Sequence, residues 1–396
     1  MDRGNPALRA WLQDRIRTRG PIPFADFMEA ALYHPTLGYY CRPGMTTGPD
    51  GDFYTSADLH PVFGRLLARQ VAEMAQRTAR DDRAPFHLVE CGPGTGRLAR
   101  DLIAGLVDEH PDLARRTVVT LVEISPTLRA VQRRTIEEEG LAGSLAGVGW
   151  ASWSELIERS HPGGFSGCVV ANEFLDALPV HAVEIRDGEL KEVHVGYEED
   201  EFRELLLEPS TGRLAAQRAE LAGLGVTLEE GQRGKPELGA LGWVASLGRV
   251  FGEDGTGGAI LVDYGHPASE LYDPARHRGT LLCYHRHQTS DDPYTRVGEQ
   301  DMTAHVDFTT IERRARGAGF DVAPLTSQLR FLVAMGLAQR IADLAAQPDT
   351  GVRGVQERLA LHGLMAPGGM GEVFKVMLLA RGAEASSFTG AKDPFR

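Results

Sequence analysis

Cysteine is scarce and scattered: the four in 396 residues, Cys41, Cys91, Cys168 and Cys283, form no CxxC pair. That argues against a disulfide framework and fits a reducing compartment. Long apolar runs are missing too, and no stretch approaches the roughly 20 residues of a membrane span. The N-terminus "MDRGNPALRAWLQDRIRTRG" mixes charges and lacks the apolar centre of a signal peptide. Basic charge is in deficit, with 42 Lys and Arg against 55 Asp and Glu and a formal net charge of −13. Such a chain repels phosphates, which disfavours nucleic acid and membrane surfaces as general partners but leaves room for a basic protein. Internal repeats and low-complexity tracts are absent. The expectation is a cytoplasmic, enzyme-sized protein of ordinary composition, 42% hydrophobic and 24% charged.

The first 82 residues read as a helical region. Leu8, Leu12 and Ile16 are four apart and predict a helix over 7–19. A second helix runs from about Asp26 to Pro35, and a third from about Pro61 to Arg80. Between them lies a Gly- and Thr-rich loop, long enough to be functional or mobile. From Phe86 onward, strands alternate with helices: "FHLVEC" (86–91), "TVVTLVEI" (117–124), a weaker strand near 146–150, "GCVVANEFLDALPV" (167–180) and "GGAILVDYG" (257–265). Ser125 and Pro126 cap and start one of the helices between them. This alternation predicts an α/β fold whose mostly parallel sheet is covered on both faces. An insertion of about 181–256 opens with a hairpin turning at Asp187-Gly188. A helix (309–317), a strand (320–326), helices near 328–346 and 352–362, and the strand "EVFKVMLLAR" complete a core spanning 83–382. Residues 383–396 read as a flexible tail.

Gly92, Gly94 and Gly96 in "ECGPGTG" occupy every second position where the first core strand turns into a helix. Such a turn offers unpaired N–H groups and the positive helix end, and glycine lets the backbone approach a ligand. A dinucleotide site would place a small residue where Arg97 stands. The GxGxG spacing resembles motif I of class I S-adenosylmethionine methyltransferases instead. Glu90, at the end of the strand, can meet the positively charged methionine end of that ligand. Glu123, at the end of the next strand, can accept both ribose hydroxyls. A ribose in NAD would satisfy Glu123 as well, so an NAD-dependent oxidoreductase remains an alternative on these residues alone.

The blocks "GDFYTSADLHPVFG", "ECGPGTG", "VEISPTL", "ANEFLDALPVH", "VDYGH" and "HVDFT" together resemble the MidA-like family of S-adenosylmethionine-dependent methyltransferases. They run in family order across nearly the whole chain. The resemblance implies a class I (Rossmann-like) core: a seven-stranded, mostly parallel sheet whose last strand, here "EVFKVMLLAR", is antiparallel. The N-terminal helical extension and the inserted substrate-side elements would be added to it. It also implies S-adenosyl-L-methionine as cofactor. The family's mitochondrial member is a protein arginine methyltransferase that helps assemble respiratory complex I. Transfer to an arginine of a protein substrate, such as a respiratory-complex subunit, is therefore the implied activity. An assembly factor that keeps the fold only to hold a partner is the alternative. Two positions depart from the family pattern: "TSADL" stands where Thr-Ser-Pro-Glu is common, and Thr95 where arginine is common.

Methyl transfer to a guanidinium needs carboxylates that orient a permanent cation and a group that takes up a proton. Asn172, Glu173 and Asp176 in "ANEFLDALP" follow the fourth core strand and are the catalytic candidates, with Asn172 also a cofactor candidate. Glu173 and Asp176 share a face if the segment turns helical. Gly51, Asp52, Phe53, Tyr54, Thr55 and Ser56 form a candidate lid, with Phe53 and Tyr54 shielding the methyl group; a packed connector is the equal alternative. Asp263, Tyr264 and His266 end another strand at the same rim. His266 is left unassigned, and Asp307 reads equally as an N-cap. His285 and His287 have HxH spacing without a third ligand signal, so no metal site is expected.

Overall fold

Apolar residues with many β-branched members fill the parallel strands β1 (Phe86–Cys91), β2 (Thr117–Val122), β3 (Gly147–Ala151), β4 (Ser166–Asn172) and β5 (Thr256–His266). β6 (Asp321–Val322) and β7 (Phe374–Arg381) extend the same sheet. In this computed structural model, which describes residues 3–42, 51–52, 55–81, 83–159, 164–346, 358–365 and 368–396, the strand order is β6-β7-β5-β4-β1-β2-β3. β7 is antiparallel to both neighbours, and the other adjacent pairs are parallel. The short strands Val306–Asp307 and Thr326–Ser327 pair outside this path and bring the sheet to nine strands.

The order reverses between β1 and β4. The chain leaves β1 towards β2 and β3, then returns to the other side of β1. Crossovers that diverge in this way open a crevice at the carboxyl ends of the two strands.

The pleat sends alternate residues to opposite cores. Leu88, Cys168, Val170 and Ile260 face α3 (Val62–Thr78) and α4 (Arg97–Glu109). Val89, Val169, Ala171 and Leu261 face α6 (Leu238–Phe251) and α7 (Phe308–Gly317). α5 (Pro126–Glu137), capped by Ser125, packs beside β2 and buries Leu128, Gln132 and Ile136.

Three local expectations change. The strand expected over 320–326 is split in two, and Pro324, which has no N–H to give a ladder, lies in the break. The strand expected over 167–180 ends at Asn172, because Glu173 takes a positive φ of 49° and turns the chain. The tail expected to be loose is docked: Ala385 and Phe388 are buried, Thr389 N–H donates to Glu73 at 2.9 Å and Gly390 N–H to Gln70 at 3.0 Å.

The N-terminal helices α1 (Pro6–Arg19) and α2 (Phe24–Tyr33) join the insertion. Ile22 and Pro23 pair antiparallel with Val195 and His194, adding an edge to the five-stranded sheet made by the insertion. Phe24 and Phe27 share a core there with Val193, Val195 and Phe202. Among the described residues, no helix is long and apolar enough to cross a membrane.

Candidate active site

The glycine turn has the backbone that its sequence demands. Gly92, Gly94 and Gly96 have φ of 66°, 51° and 83°, a region that L side chains rarely adopt. A Cβ on Gly94 would meet nothing within 4 Å, so this position faces open space. A Cβ on Gly96 would lie 3.1 Å from Gln132 Cα, so α5 needs glycine there to approach.

That open space is a cavity of about 430 Å³ at the carboxyl ends of β1 and β4. Glu90, Gly92, Gly94, Glu123, Asn172 and Glu173 line it, together with Tyr33 and Tyr40 from the N-terminal region and Trp153 and Trp243. Glu90 is buried, and its Oε2 has no hydrogen-bond partner among the described residues; the same holds for Asn172 Oδ1. Burial, with Asp101 nearby, raises the Glu90 carboxyl to about 8. Glu123 Oε1 accepts Ser125 N–H at 2.8 Å, and Oε2 accepts Gln132 Nε2 at 3.1 Å. Each of these oxygens keeps a further lone pair for a ligand hydroxyl.

A second cavity of about 240 Å³ adjoins the first, and the two share Tyr40 and Glu173 as wall residues. Asp176, Tyr264, Tyr284, Asp301, Thr303 and His305 line it. Glu173 thus stands at the junction. Asn172 Nδ2 donates to its Oε1 at 3.2 Å, and Ser56 N–H to the same oxygen at 3.3 Å. Burial and the neighbouring Asp176 raise Glu173 to about 8, and burial also raises Asp176. A non-glycine residue at positive φ stores strain, and such strain clusters at functional sites.

The turn that carries Glu173 and Asp176 is not helical. It wraps around Asp263 at the end of β5, whose Oδ2 accepts the backbone N–H of Phe174, Leu175 and Asp176 at 3.2, 2.9 and 3.3 Å. Reading the sequence placed Asp263 at the rim without giving it this work. Gln132 was missed altogether: its Nε2 donates to Gly94 O at 2.8 Å as well as to Glu123, while Trp150 Nε1 donates to its Oε1 at 2.9 Å. The available signal was a polar side chain at the buried spacing of Leu128 and Ile136. Tyr33, Tyr40, Trp153 and Trp243 were also missed.

The candidate lid divides. Thr55 lines the larger cavity and Ser56 reaches Glu173. Asp52 lies at neither cavity wall: it accepts from Tyr39 at 2.8 Å, Arg42 at 3.1 Å and Arg286 N–H at 2.7 Å, which makes it an anchor. Gly51 is half-buried beside it, and Phe53 and Tyr54 lie outside the described residues. Asp307 is an N-cap, accepting Thr309 and Thr310 N–H, while His266 pairs with Glu270. His285 Nδ1 contacts Glu299 O at 3.0 Å. Among the described residues no three His, Cys, Asp or Glu converge as a metal ion requires.

A sheet with its one antiparallel strand slipped between β5 and β6, and with a glycine turn and an acid at the ends of β1 and β2, is that of a class I S-adenosylmethionine-dependent methyltransferase. Residues 66–326 match the profile of a family described as S-adenosyl-L-methionine-dependent methyltransferases. The chain belongs to that MidA-like family, and S-adenosylmethionine is its cofactor. A crystal structure from Burkholderia thailandensis, bound to S-adenosyl-homocysteine, is 32% identical with a TM-score of 0.83, covering 97% of this chain and 94% of that one. The mitochondrial protein arginine methyltransferase NDUFAF7 of Rattus norvegicus is 31% identical, over 94% of this chain and 84% of its own length. The NDUFAF7 homologue of Drosophila melanogaster is 30% identical, over 97% and 87%. Both relatives are named mitochondrial proteins, which overturns the cytoplasmic expectation drawn from composition.

Proposed function

We propose that the protein methylates an arginine side chain of a protein substrate. The observation that carries this reading is Glu173, a buried carboxyl at the junction of two cavities with Asp176 beside it in the smaller one. The names of the relatives, protein arginine methyltransferases, point the same way. A respiratory-complex subunit is the target that the family resemblance points to.

S-adenosylmethionine supplies a methyl group on a positively charged sulfur, which becomes a neutral thioether once the methyl is gone. The larger cavity suits it: Glu90 Oε2 and Asn172 Oδ1 are buried acceptors without partners among the described residues, and Gly94 leaves room that a side chain would fill. In this reading Glu90 and Asn172 face the methionine end, Gly92, Gly94 and Gly96 let the backbone approach, and Glu123 takes the ribose hydroxyls. Glu173 and Asp176 orient the guanidinium. A carboxyl near 8 is poised to take up the proton that the methylated nitrogen must release. Thr55 and Ser56 close over the site as part of the segment 51–56, with Asp52 as its anchor and Phe53 and Tyr54 as its shield. Residues 1–82 and the insertion 181–256 build the acceptor side on the core of residues 83–382.

Quantitative mass spectrometry of methylarginine, comparing cells with and without the gene, tests the reading. At least one protein is expected to lose arginine methylation and regain it with the wild-type chain but not with Glu173→Ala. A proteome with unchanged methylarginine would sink it.

A further inference from the structure

We propose that the smaller cavity is the subsite for the acceptor's guanidinium-bearing side chain, with Asp301 selecting it and Tyr284 offering the face it lies against. The inference rests on the arginine reading above and adds residues that neither motif nor comparison singles out.

Three carboxyl groups reach this cavity: Glu173 and Asp176 from the turn after β4, and Asp301 from the strand Asp301–Thr303. No lysine or arginine lines it, and its one basic group, His305, is kept neutral because burial lowers it to about 4. The wall therefore lacks a cation, and the cavity suits one brought from outside. Two buried polar atoms lining it, Asp176 Oδ1 and Thr303 Oγ1, have no hydrogen-bond partner among the described residues. Buried acceptors of this kind are costly unless a ligand satisfies them.

The shape of the wall favours a planar cation over a point charge. Tyr40, Tyr264 and Tyr284 contribute aromatic surface, which stacks on a guanidinium better than on an ammonium. Tyr264 is held edge-on by His305 at 5.3 Å and Phe374 at 5.4 Å between ring centres. Asp301 is held as well: Oδ1 accepts Tyr40 O–H at 2.7 Å and Met302 N–H at 2.9 Å. Because Tyr40 also walls the larger cavity, Asp301 fixes the partition that a methyl group must pass. Val373 lines the smaller cavity and is 46% exposed, which brings that wall to the protein surface, where a substrate chain enters.

The probe is adenosine carrying a 3-guanidinopropyl thioether at its 5′ carbon, titrated calorimetrically into the full chain beside its neutral urea counterpart. The wild type is expected to favour the guanidine about ten-fold. Asp301→Asn is expected to shrink that preference to within about two-fold while S-adenosylhomocysteine still binds within about three-fold of wild type. Tyr284→Leu, at a partly exposed position, keeps the test decisive should Asp301→Asn misfold, and is expected to weaken the guanidine about five-fold. A wild type indifferent to guanidine versus urea, or a preference that survives both substitutions, overturns the subsite. The two readings fail separately. Methylarginine that depends on the gene, with no guanidine preference, removes the subsite alone. A preference that needs Asp301, with methylarginine unchanged, removes the protein arginine reading alone.

Discussion

Arg97 Nη1 lies 2.6 Å from Asp58 Oδ1, so the residue that ends the glycine turn is tied to the segment preceding α3. Both positions stood out in the sequence, one as too large for a dinucleotide turn and the other as a departure from the family pattern. Asp58 Oδ2 also accepts the N–H and the hydroxyl of Thr55, at 3.1 and 3.0 Å. The Asp58 side chain is 2% exposed and that of Arg97 37%. The two partners therefore differ in what their loss leaves behind. Asp58→Ala strands several donors and is expected to cost about 1–3 kcal/mol in urea unfolding. Arg97→Ala, with solvent at hand, is expected to cost less than about 1 kcal/mol. Equal losses would show that the ion pair alone matters and that the Thr55 contacts do not.

Gly94 and Gly96 separate binding from stability. Each has a positive φ, so any side chain adds roughly 1–2 kcal/mol of backbone strain. At Gly94 the new atoms enter the larger cavity; at Gly96 they press on Gln132. Gly94→Val is expected to abolish S-adenosylhomocysteine binding by calorimetry. Gly96→Ala is expected to lower the unfolding midpoint more than Gly94→Ala does. Unaltered binding by Gly94→Val would count against the larger cavity as the cofactor site.

What was legible in the sequence is what a local pattern encodes. The glycine spacing, the apolar strands and Glu123 at a strand end are set by neighbours within one β-turn-α unit. The partners of the acceptor cavity are not local. Tyr40 meets Asp301 across 261 positions, and Asp263 holds Asp176 from 87 positions away. The pairing of Ile22 with Val195 likewise joins two regions that read as separate. No spacing rule announces such contacts, because only the packed sheet brings their strand ends together. Gln132 is intermediate: its helical spacing marked a buried face, and only its polarity hinted at a task.

Asp263 is a positioning residue, since it reaches the site only through the backbone of residues 174–176. Its Oδ2 satisfies three buried N–H groups, so Asp263→Ala is expected to destabilise by at least about 2 kcal/mol. Transfer rate is expected to fall by about 100-fold or more, because an ångström of misplacement is costly to an in-line reaction. S-adenosylhomocysteine affinity, set mainly by the β1 and β2 ends, is expected to stay within about five-fold of wild type. A loss confined to cofactor affinity, with turnover of the bound complex intact, would place Asp263 elsewhere in the mechanism.

Glu90 and Glu173 give the ligand-free protein an unusual response to pH. Burial raises both from an ordinary 4.5 to about 8, with Asp101 adding to the first and Asp176 to the second. Between those values the folded protein holds protons that the unfolded chain has released. Stability is then greatest below the unfolded value and falls as pH rises, by up to about 1.4 kcal/mol per unit for each group. Urea denaturation at pH 5.5, 7 and 8.5 is expected to show this decline. Glu90→Gln, which is neutral throughout, is expected to make it shallower without changing its sign, because Glu173 remains. Stability rising over the same window would mean that the folded protein keeps both carboxyls ionised, and would remove Glu173 as a proton acceptor poised near neutrality.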